Sequence, residues 1–120
     1  MKTAVVFGSA GFVMGYTVRE LLAHGYRVIG YDDYSKYGPV KRDYDNHPNY
    51  TLHILDLAHN VPDIAQYNPS YVIMGAALIG GIATFHKYAL DLVLQNERIM
   101  ANGYEAVLKC VTKPHVVIIS

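Results

Sequence analysis

The stretch that decides the fold is Thr3-Ala4-Val5-Val6-Phe7-Gly8-Ser9-Ala10-Gly11-Phe12, near the start of the chain. A short continuous apolar run ends at Gly8, and the apolar spacing that follows, Phe12, Val13, Val18, Leu21 and Leu22, is helical and stops at His24-Gly25. This reads as strand, glycine turn, helix. Working outward, β-branched runs at Arg27 to Tyr31 and Thr51 to Leu55 end at Asp32-Asp33 and Asp56, as strands entering polar turns do. A fourth run, Tyr71 to Met74, leads into Gly75-Ala76-Ala77, and after a glycine pair the spacing predicts a helix from His86 to Cys110. Val116 to Ile119 is the fifth strand. In the long helix Leu90, Val93, Leu94, Met100, Tyr104, Val107 and Leu108 recur at three- and four-residue steps, so that stripe is expected to face inward and Glu97, Arg98 and Glu105 outward.

Strands that are apolar throughout and alternate with helical segments predict an α/β fold whose parallel sheet is covered on both faces, in strand order 3-2-1-4-5. The 120 residues allow one domain, residues 1–120. Between the second and third strands, Tyr34 to Asn49 is long for a loop and rich in charge and tyrosine, which points to function or disorder rather than packing. The chain stops at Ser120, where a strongly apolar strand would be left as an open edge, so a longer protein or a covering chain is expected.

Composition removes several functions. Ten Lys+Arg balance ten Asp+Glu, so no basic field exists to hold nucleic acid or an anionic membrane surface. No run approaches the ~18 apolar residues of a membrane span, and the opening breaks into glycine before a signal-peptide core forms. The single cysteine, Cys110, excludes an intramolecular disulfide framework, and a cytoplasmic location is expected. Near a helix end with no base beside it in sequence, Cys110 reads as a small buried residue. The six histidines show neither i, i+4 pairing nor a companion cysteine, so no metal is expected. Eleven tyrosines without basic interleaving fit partly buried packing or a surface between copies of a homo-oligomer. Asp56 at the end of the third strand would suit a phospho-acceptor domain, but Gly8-Ser9-Ala10 is built for an anion rather than Mg²⁺.

The Gly8-Ser9-Ala10-Gly11-Phe12 turn lets backbone N–H groups and a helix N-terminus approach a pyrophosphate, although an ordinary tight turn would use the same residues. Position favours the first: Asp32 ends the second strand twenty-one residues after Gly11, where it is expected to accept hydrogen bonds from an adenosine ribose. A carboxylate there repels a 2′-phosphate, favouring NAD over NADP, while Lys36, Lys41 and Arg42 are the available phosphate partners in the following loop. Asp33 is either part of that pocket or a turn former. Asp56 either caps the next helical turn or meets the adenine end.

Taken together, VFGSAGF, VIGYDD, LHILDL, VIMGAALIGGI, NERIMANGYEAVLK and HVVIIS resemble, in order and spacing, the cofactor-binding half of the extended short-chain dehydrogenase/reductase family, the NAD-dependent nucleotide-sugar epimerases and dehydratases. The resemblance covers essentially the whole chain. It implies a Rossmann-like doubly wound sheet, here ending after strand 5, that forms the amino-terminal NAD(P)-binding part of a longer enzyme. Gly8, Ser9, Ala10, Gly11, Phe12 and Val13 would line the pyrophosphate turn, Asp32 and Asp33 the ribose, and Asp56 with Leu57 the adenine. Ala76 and Ala77 would lie under the cofactor, Asn96 would support the nicotinamide side, and the Gly80-Gly81-Ile82 loop would border a nucleotide-sugar substrate.

Two departures qualify the resemblance. Met14 stands where the family has a third glycine and Gly15 follows it, so either the helix stands off slightly or the turn is slipped by one residue. The family's catalytic Tyr-x-x-x-Lys helix follows the fifth strand and is not in these residues. Ser120 resembles the first residue of the family's serine-rich stretch and is not assigned a catalytic role. The Tyr37 to Lys41 spacing contains Pro39 and lies in a loop, which does not set both side chains on one helical face. No catalytic residue is therefore expected here, and the chain alone is expected to bind without turnover. The competing reading, from a different class, is a non-catalytic module that binds NAD and regulates a partner.

Overall fold

The computed structural model describes residues 1–34, 38–76 and 82–119, and for residues 82–89 and 92 the backbone alone. The elements run β1 (Thr3–Phe7), α1 (Phe12–Ala23), β2 (Arg27–Asp32), β3 (Tyr50–Ile54), a short 3₁₀ turn (Ala65–Tyr67), β4 (Tyr71–Met74), α2 (Ile82–Leu108) and β5 (His115–Ile118). All neighbouring strands pair in parallel, and the sheet order is β3-β2-β1-β4-β5. The expected Rossmann-like order is therefore the observed one. No described helix is long and apolar enough to cross a membrane.

The central strand is apolar on both sides, and all five of its residues are buried. Two clusters lie on its opposite faces. Val5, Phe7, Ile29, Tyr31, Val72 and Met74 pack with Leu57, Ile64 and Ala106. Val6, Val28 and Ile73 pack with Met14, Val18 and Leu22 of α1 and with Tyr44 and Tyr50. Alternation along β1 splits its side chains between the two, as period-2 geometry requires. Among the described residues the expected cover on both faces thins at the edge strands, where Leu52 of β3 and Val116 of β5 still pack against the two clusters. On β3 only Tyr50 is buried, and Val117, Ile118 and Ile119 at the β5 edge are exposed.

Helix α2 corrects the sequence reading twice. It starts four residues earlier than His86, directly after the glycine pair, and ends at Leu108, before the turn that Cys110 closes on the Val107 carbonyl. Its inward face is also different. Leu90, Val93, Leu94, Tyr104 and Leu108 are exposed, whereas Gly103 and Ala106 are buried and Ile99, Met100 and Val107 pack on the core. Small residues carry the contact: a Cβ on Gly103 would stand 2.3 Å from the Met74 methyl and 3.2 Å from the Phe7 ring. Glu97, Arg98 and Glu105 face solvent as expected. Cys110 is buried, with its Sγ against the Ala106 carbonyl.

Phe12 and Val13, part of the apolar spacing of α1 and expected to line the glycine turn, are exposed in the first turn of the helix, where Phe12 meets Tyr16 edge to face at 5.5 Å. The buried stripe of α1 begins one residue later, at Met14.

Candidate functional site

Strand register brings the carboxyl ends of β1, β2, β3 and β4 to one edge. The Gly8 N–H donates to the Tyr31 carbonyl at 2.7 Å, the Gly75 N–H to Phe7 at 3.0 Å, and the Leu55 N–H to Asp32 at 3.1 Å. Gly8, Asp32, Leu55 and Gly75 therefore leave their strands side by side. In open α/β sheets this edge is where ligands bind.

The glycine turn is shaped for close approach. Gly8 has φ +82, and a Cβ there would lie 2.9 Å from the Gly75 carbonyl oxygen and 3.0 Å from Ala76, so a side chain is excluded both by conformation and by space. Gly11, the N-cap of α1, has no side chain to cap the helix, and its first turn holds no acidic residue. The N–H groups at the start of α1 and its positive end are thus offered outward, the arrangement that receives a phosphate group.

Asp32 closes the other side. Its Oδ2 accepts the Ala10 N–H at 3.0 Å and its Oδ1 the Tyr34 N–H at 2.7 Å. The carboxylate is half-buried at the lip of the turn, with lone pairs left for ribose hydroxyls. Asp33 is exposed beside it.

The remaining candidates separate. Asp56 forms a local turn: Oδ1 accepts the Ala58 N–H at 2.9 Å and Oδ2 meets His59 Nδ1 at 2.7 Å. These hydrogen bonds, His59 foremost, hold its carboxyl below the usual range. The side chain of Leu57 is buried among Phe7, Tyr31 and Met74, so it contributes to the core. Ala76 lies beside Gly8, and Asn96 is half-buried on α2. Ala77, Lys36, Tyr37, Gly80, Gly81 and Ser120 lie outside the described residues.

The sequence reading missed three residues that build the turn from behind, Gly30, Tyr44 and Tyr50, and it named Arg42 as a phosphate partner, whereas the Arg42 guanidinium is spent on a backbone carbonyl of the turn. The Ser9 side chain is fully buried and its hydroxyl meets the Tyr50 hydroxyl at 2.9 Å. Both fit because β2 carries Gly30, where a Cβ would stand 2.2 Å from Ser9 Oγ. An isolated glycine inside a strand pattern is the available signal for such an approach. Tyr44 donates its O–H to the Ser9 carbonyl at 2.5 Å, and Arg42 donates from Nε at 3.1 Å and Nη2 at 2.8 Å to the Ala10 carbonyl. The loop expected to be functional or disordered is anchored on the core at Tyr44, only 4% exposed, while Pro39, Lys41, Asp43, Asn46 and Pro48 around it stay exposed. Tyrosine content explains this: rings supply buried area while hydroxyls find backbone partners. Burial pushes the Tyr44 phenol up to about 12, with Arg42 and Arg19 opposing.

Comparison with known proteins follows the same outline. A family model described as the NAD dependent epimerase/dehydratase family matches residues 4–120. No curated protein sequence matches significantly. Among solved structures, the UDP-N-acetylglucosamine 4-epimerase of Methanobrevibacter ruminantium, in complex with UDP-N-acetylmuramic acid, is 25% identical with TM-score 0.72, over 88% of this chain and 33% of that one. The UDP-Glc/GlcNAc 4-epimerase of Campylobacter jejuni is 18% identical with TM-score 0.77, over 93% of this chain and 35% of that one. The dTDP-glucose 4,6-dehydratase of Bacillus anthracis, in complex with NAD, is 19% identical with TM-score 0.71, over 98% and 36%. The last two bear on the fold alone. The chain spans roughly a third of the length of these structures.

Proposed function

Because the chain belongs to the NAD dependent epimerase/dehydratase family, we propose that it binds NAD and forms, as residues 1–120, the amino-terminal coenzyme domain of an enzyme acting on a nucleotide-activated sugar. The single observation that carries this reading is the Gly8 cradle beside the uncapped α1 N-terminus, with the Asp32 carboxylate hydrogen-bonded to the Ala10 N–H at its rim. That arrangement fits a diphosphate against the helix end and a ribose against the acid.

In this reading Gly8, Ser9, Ala10, Gly11, Phe12 and Val13 form the diphosphate turn. Gly8 and Gly11 keep side chains out of it, and the N–H groups of Phe12 and Val13 meet the phosphate oxygens. Asp32, with Asp33 next to it, holds the adenosine ribose and disfavours a 2′-phosphate, so NADP is the weaker ligand. Asp56 borders the adenine end, with Leu57 supporting it from the core. Ala76 and Ala77 lie under the coenzyme, and Asn96 supports its nicotinamide side. The nicotinamide, when bound, supplies reversible hydride acceptance, so the sugar is oxidised and then re-reduced. None of the residues named here performs the proton transfer. The soluble setting of such chemistry accords with a cytoplasmic protein, and the substrate partner is a nucleotide sugar.

Isothermal titration of the purified protein with NAD+ and NADP+ tests this. Saturable binding of NAD+, tighter than NADP+, is the expected result. Absence of heat and of thermal stabilisation with either coenzyme would overturn it. Conversion of a UDP- or dTDP-sugar by a longer protein that carries a Tyr-x-x-x-Lys helix after Ser120, followed by chromatography, separates an enzyme from a coenzyme-binding regulatory module.

A further inference from the structure

Two successive peptide units of the glycine turn are pinned at both ends. In the unit joining Ser9 to Ala10, the carbonyl accepts the Tyr44 O–H at 2.5 Å and the N–H donates to Asp32 Oδ2 at 3.0 Å. In the unit joining Ala10 to Gly11, the carbonyl accepts Arg42 Nε and Nη2 at 3.1 and 2.8 Å, and the N–H donates to the Gly8 carbonyl at 3.0 Å. Both carbonyl ligands come from the β2–β3 loop, about thirty residues away in sequence, at positions separated by 32 and 35 residues from their acceptors.

The electrostatic consequence is specific. A carbonyl oxygen is the negative end of the peptide dipole, so a turn that receives an anion must aim its carbonyls away from it. Left free, each peptide plane between two glycines could rotate its oxygen toward the phosphate, since Gly8 and Gly11 constrain it least. The Arg42 guanidinium has no carboxylate partner among the described residues, and its two donors converge on one backbone oxygen. Its loop is anchored independently: the Arg42 N–H donates to Asp45 Oδ2 at 2.8 Å, and Arg19 pairs with Asp43 at 2.8 Å on the outer surface.

We infer that Arg42 and Tyr44 are positioning residues for dinucleotide binding: by holding the Ala10 and Ser9 carbonyls toward the β2–β3 loop, they keep the turn in its anion-receiving form before any ligand arrives. This rests on the proposed coenzyme reading. Preorganisation of this kind appears as affinity, because the ordering is not charged against binding.

The test is titration of the purified protein and its variants with NAD+ and NADP+, each variant first checked for folding by circular dichroism. Arg42→Met is expected to weaken NAD+ binding about tenfold. NADP+ binding, where measurable, should weaken by the same factor, because the diphosphate is common to both. Tyr44→Phe, which removes only the O–H, should weaken NAD+ about threefold to fivefold. Arg42→Lys keeps a cationic donor and should recover most of the loss. Asp43→Ala, which cuts the outer ion pair of the same loop but leaves Arg19 over the Tyr44 ring, should leave affinity within twofold of wild type.

Unchanged affinity in Arg42→Met overturns the inference. So does a loss confined to NADP+, which would make Arg42 a 2′-phosphate ligand, or an equal loss in Asp43→Ala, which would make the effect general loosening of the loop. Wild-type protein that binds neither coenzyme is a different failure, since it removes the coenzyme reading and this inference with it.

Discussion

Met14 lies across Gly75: a Cβ added at Gly75 would stand 2.5 Å from the Met14 sulfur and 2.6 Å from its Cγ. The side chain that replaces the family's third glycine is thus accommodated by a glycine elsewhere, at the end of β4. Met14 is 3% exposed and belongs to the core cluster on the α1 face. Close packing between helix and sheet is kept, with the small residue on the sheet side rather than the helix side.

This changes what mutation should do. Met14→Gly would remove a buried side chain and add a helix-interior glycine, so it is expected to destabilise the fold. Met14→Ala isolates the cavity effect and should cost about 2–5 kcal/mol by urea denaturation. Gly75→Ala should cost about 1–3 kcal/mol from overpacking against Met14 and the Phe7 carbonyl. The double variant should cost less than the sum, since the new methyl group enters the space Met14 leaves. Strict additivity would show that the two positions do not share that space.

Gly30 and Ser9 form a second such pair. Gly30→Ala would drive a methyl group into Ser9 Oγ and to 2.8 Å from the Tyr50 hydroxyl. It should cost about 1–3 kcal/mol and more than Ser9→Ala, because the latter removes one hydrogen-bond partner without adding volume. Equal stabilities of Gly30→Ala and wild type in urea melts would show that the strand can shift to make room.

Much of the architecture was legible because each of the first four strands is an apolar run closed by glycine or aspartate, and parallel pairing follows from the helices between them. The glycine turn and Asp32 were legible because their chemistry depends on residue type at fixed spacing. Two things were not. The inward face of α2 is built on Gly103 and Ala106, and a pattern search weighted by hydrophobicity follows large residues such as Leu90 and Leu108, which face out. Arg42 and Tyr44 act on backbone carbonyls, and a carbonyl carries no residue-type signal. Asp56 and Leu57, placed together by sequence at the adenine end, are divided by the structure between a surface turn and the core.

The tyrosines behind the turn predict an alkaline limit. Burial raises Tyr44 to about 12 and raises Tyr31 and Tyr50 as well, against an ordinary value near 10. The folded state keeps these protons at a pH where the unfolded state has released them. Their contribution to stability is therefore full below pH 10 and is lost as pH rises from there through the folded-state values. Urea melts should show stability falling from about pH 10 upward, and Tyr44→Phe should flatten that fall in part. A stability profile unchanged between pH 9 and 12 would contradict the buried, protonated state of these phenols.

Asp32 combines two tasks, and its variants should separate them. Its carboxylate fixes the Ala10 and Tyr34 N–H groups, so it orders the turn, and in the proposed complex it also accepts from the ribose. Asp32→Asn keeps the shape but has one oxygen for two backbone donors, and its NH₂ then opposes an N–H. NAD+ affinity should fall by about 1.5–3 kcal/mol, or roughly tenfold to 150-fold. Asp32→Arg loses the same turn contacts while exchanging repulsion of a 2′-phosphate for attraction. It should weaken NAD+ further and improve NADP+ relative to NAD+. The ratio of the two dissociation constants is the decisive quantity, because loosening of the turn lowers both affinities alike and only a direct ribose contact shifts one against the other. A ratio equal to that of wild type would leave Asp32 as a turn-forming residue and move recognition of the ribose elsewhere on the sheet edge.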